Sequence, residues 1–212
     1  HPDAGIPDPL WSRGLGDVYK RQFLMSVLSL ELGIFIVGVL GASALLQKNR
    51  HEAGSEGTRG TIIAGLVFTT VGIVASGWTW SIHNSLMKSG SSSMCASEGL
   101  VQCGSVIGDP QWNNLFGVPW GVVGIASFAV IFFFMMTLYL DQNARRVPQF
   151  VNYLWYLGIA GLPFVAWLVV IELLLVEGAP HICPYCTVIH LSMIGVFASS
   201  HVMRERRTNS TW

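Results

Sequence analysis

Three stretches without a single charged side chain, Thr61–Met87, Leu115–Leu140 and Phe150–Ile171, decide what this chain can fold into. Each approaches or exceeds the roughly 20 residues that carry a helix across about 30 Å of hydrocarbon. Lipid offers no partner to a backbone N–H or C=O, so helices are the expected form. Two further stretches join them: Cys183–Met203, interrupted only by His190 and His201, and Phe23–Gln47, which carries one acid, Glu31. Only 11% of the residues are charged, against about 25% in a soluble domain. The expected fold class is therefore an all-α integral membrane protein with five spans.

Charge position orients those spans. Lys48, Arg50 and Arg59 fall between the first and second, Arg145 and Arg146 between the third and fourth, and Arg204, Arg206 and Arg207 after the fifth. The loop between spans two and three has only Lys88, and the link Glu177–Ile182 has no basic residue. Basic segments stay in the cytoplasm, which puts that loop and that link outside, in a multi-pass protein of the bacterial cytoplasmic membrane or its eukaryotic lumenal counterpart. The net charge of zero gives no reason to expect nucleic acid as a partner.

Residues 1–22 are polar, rich in Gly and Pro and without period, and Asp17–Gln22 resembles the translation of a sequencing adapter. They are expected to be an artefact or a disordered tail and are set apart from the fold. Residues 23–47 form an additional membrane helix. The segment from Gln47 to Gly60, with Gly54, Gly57 and Gly60, reads as a flexible cytoplasmic connection. Trp78 and Trp80 mark the outer end of span two, where His83 and Asn84 are expected at the interface. In the loop from Lys88 to Val118, Asp109-Pro110 signals a turn, and Trp112, Leu115 and Phe116 point to a lid lying on the membrane surface. Pro163 is expected to kink span four. Glu172, an acid within a span, is a functional candidate by default, although its nearness to the outer boundary favours an interfacial place.

The chain has four cysteines. Cys183-Pro184-Tyr185-Cys186 opens the last span, while Cys95 and Cys103 lie in the outer loop, so both pairs face an oxidising compartment. A Cys-x-x-Cys at a helix start sets its sulfurs over free backbone amides and the positive end of the helix dipole, favouring thiolate, the species that attacks disulfides. Pro184 suits the first helical turn. Cys183 is expected near the surface and Cys186 one turn deeper, facing an apolar pocket. A four-cysteine zinc site would normally show two short knuckles, and the gap from Cys95 to Cys103 is too loose for one. Two inert structural disulfides in a non-enzymatic membrane protein remain the alternative.

The ordered set Cys95-x7-Cys103 followed by Gly104-Ser105-Val106, then Phe116-Gly117-Val118-Pro119 opening a span, then Cys183-Pro184-Tyr185-Cys186 resembles the vitamin K epoxide reductase family, especially its small bacterial members. The resemblance implies a four-helix bundle over residues 61–203 around a quinone, capped by the cysteine-bearing loop, with 204–212 a cytoplasmic tail. It implies an oxidoreductase in which a thioredoxin-fold dithiol protein exchanges with Cys95. Cys103 then passes electrons to Cys183, and Cys186 stands next to ubiquinone or menaquinone, so that disulfides are generated for secreted proteins. Asn113, Phe116 and His190 are the implied quinone contacts. His190 stands where the animal enzymes have a tyrosine, a departure that leaves epoxide reduction open, and Trp120 departs from the asparagine common in bacterial members. An unrelated disulfide-generating membrane enzyme also has four helices and two cysteine pairs, but there the Cys-x-x-Cys comes first.

Overall fold

A computed structural model describes residues 29–90, 100–210 and 212. Among them are five helices long and apolar enough to cross a membrane. These are α1 (Leu30–Arg50), α2 (Ser55–Ser89), α4 (Trp120–Leu140), α5 (Val147–Val170), which runs on into a π-helical turn (Ile171–Leu175), and α6 (Pro184–Thr208). Between α2 and α4 lie a short helix α3 (Gly104–Gly108) and an antiparallel hairpin of β1 (Asn114–Leu115) and β2 (Val118–Pro119). The expected tail over 1–22, the first residues of the expected span at Phe23, and Cys95 lie outside the described residues.

Helix α2 is the hub, packing against α1, α4 and α6, while α5 leans chiefly on α6. Lipid tails are as apolar as leucine, so helices in a membrane associate through close packing at small residues. That is what α2 and α6 supply. The ring of Phe128 from α4 fills the notch at Gly72, and Phe68 of α2 fills the notch at Gly195, leaving no room for a Cβ at either glycine. Buried hydroxyls on these faces return their hydrogen bonds to their own helix, Thr61 to the Gly57 carbonyl (2.9 Å) and Ser199 to that of Gly195 (2.8 Å). At its start α1 is capped by the Ser29 hydroxyl, which accepts from the Leu32 amide at 3.2 Å, and Lys48 and Arg50 sit in its last turn, where cations complement the helix dipole.

The expected flexible connection from Gln47 to Gly60 is instead mostly helical. α2 begins at Ser55 and runs for 35 residues, about 52 Å at 1.5 Å per residue, so it outreaches the hydrocarbon. The glycines read as flexibility serve close approach: Gly57 lies against the Glu52 backbone and Gly60 against the Asn49 side chain, where a Cβ would collide. The third span starts at Trp120 rather than Leu115, because the hairpin takes the residues before it. Helix α5 continues through Pro163.

Arg206, near the end of α6, closes the connection between α1 and α2. Its guanidinium donates to the carbonyls of Asn49 and Glu52 (2.7 Å for the latter) and reaches the Thr58 hydroxyl at 3.5 Å. The side chain is buried, at 4% exposure.

Candidate active site

The Cys-x-x-Cys segment folds as its residue types dictate. Cys183 is the N-cap of α6, Pro184 occupies the first turn, and the Cys183 sulfur accepts the Cys186 amide at 3.3 Å. The Cys186 thiol donates to that same sulfur at 2.7 Å, and both cysteines are free thiols. Two donors, one of them a helix N-terminal amide, thus converge on Cys183 Sγ.

Cys183 is not near the surface. It is fully buried, as is Cys103, because the outer loop is stitched over it. Val101 and Ile182 form a parallel bridge, in which the Gln102 amide donates to the Ile182 carbonyl (3.1 Å) and the Ile182 amide to the Leu100 carbonyl (2.8 Å). Side chains reinforce it: buried Gln102 and His181 are hydrogen-bonded through the amide nitrogen and imidazole Nδ1 at 2.7 Å. Paired strands lie about 4.8 Å apart, and a disulfide spans roughly 4.4–6.8 Å between Cα atoms. Cys103 follows the bridged residue Val101 by two positions and Cys183 follows Ile182 by one, so the bridge joins the two cysteine-bearing segments. Cys103 itself is in a disulfide, its partner outside the described residues. Sequence reasoning passed over Gln102 and His181, for which only the structure supplies a signal. Replacing Gln102 with leucine should cost about 1 kcal/mol, one net hydrogen bond, and speed hydrogen exchange at the Gln102 and Ile182 amides about fivefold, read by mass spectrometry.

Tyr185, between the two cysteines, is anchored from α1 and α2. Its hydroxyl is hydrogen-bonded to Ser29 Oγ at 2.8 Å, and its ring meets Phe35 edge-on and Trp78 at a tilt, both at 6.4 Å between centroids.

Below the loop, between α2, α4, α5 and α6, lies a cavity of about 220 Å³. A cavity of roughly 150 Å³ holds benzene, so this one has room for a substituted six-membered ring. Cys186 forms part of its wall, and so do Asn113 and His190, which are 7% and 6% exposed. Asn113 lines the cavity, and Asn114 donates its amide to the Asn113 side-chain oxygen at 2.7 Å. Phe116 does not belong to the site. The pairing of Leu115 with Val118 makes Phe116-Gly117 a two-residue hairpin turn, with φ of 52° and 84°, and positive φ at both positions is what such a turn requires. Phe116 is therefore thrust outward at 97% exposure.

Two residues expected at the interface line the cavity instead. His83 bonds the Ile107 carbonyl through Nδ1 at 3.3 Å. Glu172 is 6% exposed and accepts the Cys183 amide at 3.4 Å. Trp112 packs edge-on against Trp167 at 6.0 Å, and Trp120, whose indole donates to the Trp112 carbonyl at 2.8 Å, joins it in the wall.

Set against the profiles of known families, residues 63–201 match the Vitamin K epoxide reductase family. The chain belongs to that family. No curated protein and no solved structure matched it. Members of the vitamin K epoxide reductase family are quinone-linked thiol oxidoreductases, so this chain is a multi-pass membrane enzyme that exchanges electrons between thiols and a quinone, with a thiol-redox partner. The cavity fits such a group. Its walls are mostly apolar, the Asn113 amide faces it, and the Ser76 hydroxyl in its wall is buried with no hydrogen-bond partner. The family match begins within α2, leaving α1 outside it.

Proposed function

We propose that this chain is a bacterial-type thiol oxidase that draws electrons from a thioredoxin-fold dithiol protein and passes them to ubiquinone or menaquinone, generating disulfides for secreted proteins. The observation that carries the reading is that Cys103 and Cys183, both fully buried, flank the bridge joining the outer loop to the start of α6, with Cys186 in the cavity wall.

The partner reduces the Cys95–Cys103 disulfide by thiol exchange at Cys95. The Cys103 thiolate then attacks Cys183 Sγ, breaking the Cys183–Cys186 bond and releasing Cys186 as thiolate. Attack by Cys95 on Cys103 re-forms the outer disulfide and leaves Cys183 and Cys186 reduced. Electrons and bonds balance, since one disulfide is exchanged for another. A quinone, when bound, supplies a two-electron acceptor. Asn113 would hold it by donating its amide to a carbonyl, His190 would line its edge, and the apolar walls would exclude water.

The cysteine end lies opposite the end that carries Lys48, Arg50, Arg59, Arg145, Arg146 and Arg204–Arg207. By the positive-inside rule it faces the extracytoplasmic side, where a secreted partner can reach it. The test is quinone reduction by the purified protein in detergent, driven by a reduced thioredoxin-fold dithiol protein, with each cysteine replaced in turn. Turnover is expected to vanish in all four variants. Full turnover with Cys103→Ala would overturn the relay.

A further inference from the structure

Glu172 is the only acid among the described residues of the cavity wall. It belongs to the π-helical turn Ile171–Leu175, which ends α5. Such a turn inserts one extra residue into the helical register and is frequent at functional sites. Here it sorts the turn into two faces. Leu173, Leu174 and Leu175 point outward at 39%, 72% and 38% exposure, while Ile171 and Glu172 are buried. A charge at the centre of a span costs about 2.5–3.5 kcal/mol on insertion scales, which accounts for the acid facing inward without saying what it does there.

Its contacts say more. One carboxyl oxygen accepts the Cys183 amide at 3.4 Å, and its backbone carbonyl accepts the His181 amide at 3.0 Å, so the residue is clamped beneath the start of α6. The carboxyl lines the same cavity as Cys186. Cys186 has one S–H proton, directed at the Cys183 sulfur at 2.7 Å, and Glu172 supplies the one carboxylate among the described residues of that cavity wall. The other titratable groups nearby are placed differently. His83 spends Nδ1 on the Ile107 carbonyl, and His181 is held by Gln102 and the Glu177 carbonyl. His190 faces the cavity from α6 one turn below Cys186.

Oxidation of the dithiol must release two protons as well as two electrons. We propose that Glu172 is the proton acceptor for Cys186, an inference that rests on the reading of Cys183 and Cys186 as the quinone-facing pair. As the bond between Cys183 Sγ and Cys186 Sγ forms, the Cys186 S–H bond breaks and its proton moves to a Glu172 oxygen. Two electrons leave for the bound quinone, the oxidant of the family reaction. The second proton passes from the Cys183 thiol to the reduced acceptor. Glu172 then gives its proton up to the reduced acceptor and returns to carboxylate, ready for the next pair. In a cavity with mostly apolar walls, a carboxylate in the same wall as the reacting sulfur gives the proton a place to go without a solvent path.

The experiment has two arms and uses Glu172→Gln, which keeps the size and the acceptor for the Cys183 amide but cannot take a proton. In the first arm, quinone-free protein carrying Cys183→Ser is alkylated at Cys186 by iodoacetamide across a pH series, with and without Glu172→Gln. Loss of a proton acceptor is expected to slow alkylation near neutral pH by about 10²-fold, the lower end of general-base effects, with the rates converging at high pH. A purely electrostatic role predicts the opposite, since removing a negative neighbour favours the thiolate and speeds alkylation. Unchanged or faster alkylation overturns the proposal. In the second arm, pre-reduced protein with an otherwise native sequence performs a single turnover with added ubiquinone. Slowing by about 10²-fold in Glu172→Gln, with partial recovery in Glu172→Asp, is the expected result. If native protein reduces quinone and Glu172→Gln does so equally fast, the role of Glu172 falls while the relay stands. If native protein does not reduce quinone at all, the relay reading falls, and with it the proposal that rests on it.

Discussion

Cys186→Ala should bring dithiol-driven quinone reduction down by at least about 10³-fold, the scale on which enzymes lose activity when a reacting nucleophile is removed, while leaving the protein folded. The reason is geometric. Cys186 is the sulfur in the cavity wall, and no other described cysteine lines it. In the same variant Cys183 has no disulfide partner for the Cys103 thiolate to displace, so no covalent bond between Cys103 and Cys183 should accumulate and the outer pair should stay reduced after one exchange with the partner. Peptide mapping by mass spectrometry without reductant reads the linkage directly. A variant that turned over normally would remove Cys186 from the electron path. One that merely lost expression would favour two disulfides that brace the structure.

The second large effect is on stability and lies at the opposite end of the bundle. Arg206→Met keeps the apolar stem and deletes the guanidinium; the Asn49 carbonyl keeps the Glu52 amide at 3.2 Å, while the Glu52 carbonyl loses its donor. A buried acceptor left unsatisfied costs about 1–3 kcal/mol, so a loss of that size is expected. In a chain of 212 residues, each kcal/mol moves the midpoint by roughly 2–4 °C, and a melting curve in detergent should fall by about 2–12 °C. Quinone reduction below that temperature should be retained, since Arg206 is far from the cysteines along α6. A midpoint within a degree of the native value would mean that the Glu52 carbonyl finds water instead.

The membrane spans are legible in the sequence because a soluble helix needs charged residues on its wet face, and a run of about twenty residues without any has no such face. Their order, and the placing of both cysteine segments at one end, follow from that alone. The places where reading fails share a physical cause, which is that contact rather than composition decides them. Gly57 and Gly60 sit in a polar stretch and read as slack, yet they are where α2 presses on the turn before it. Phe116 reads as a quinone contact only by the family resemblance. A positive φ at a residue other than glycine cannot be seen in a sequence, and that φ turns the ring outward. Counting residues along a regular helix places Glu172 at the interface. The π-helical turn adds a residue to that count and brings the carboxyl under α6. A position at a helix start suggests that Cys183 is reachable from outside. Its burial depends on the bridge between Val101 and Ile182, a contact between segments some eighty residues apart.

Tyr185 ties the redox motif to α1, which precedes the segment shared with the family. The stiffness of the spacer between the two inner sulfurs is therefore set partly by a helix that carries no redox chemistry of its own. Relatives with an identical cysteine framework but a different leading helix would inherit the reaction without inheriting this brace. Exchanging leading helices between such relatives should retune how tightly the motif is held while every sulfur stays in place.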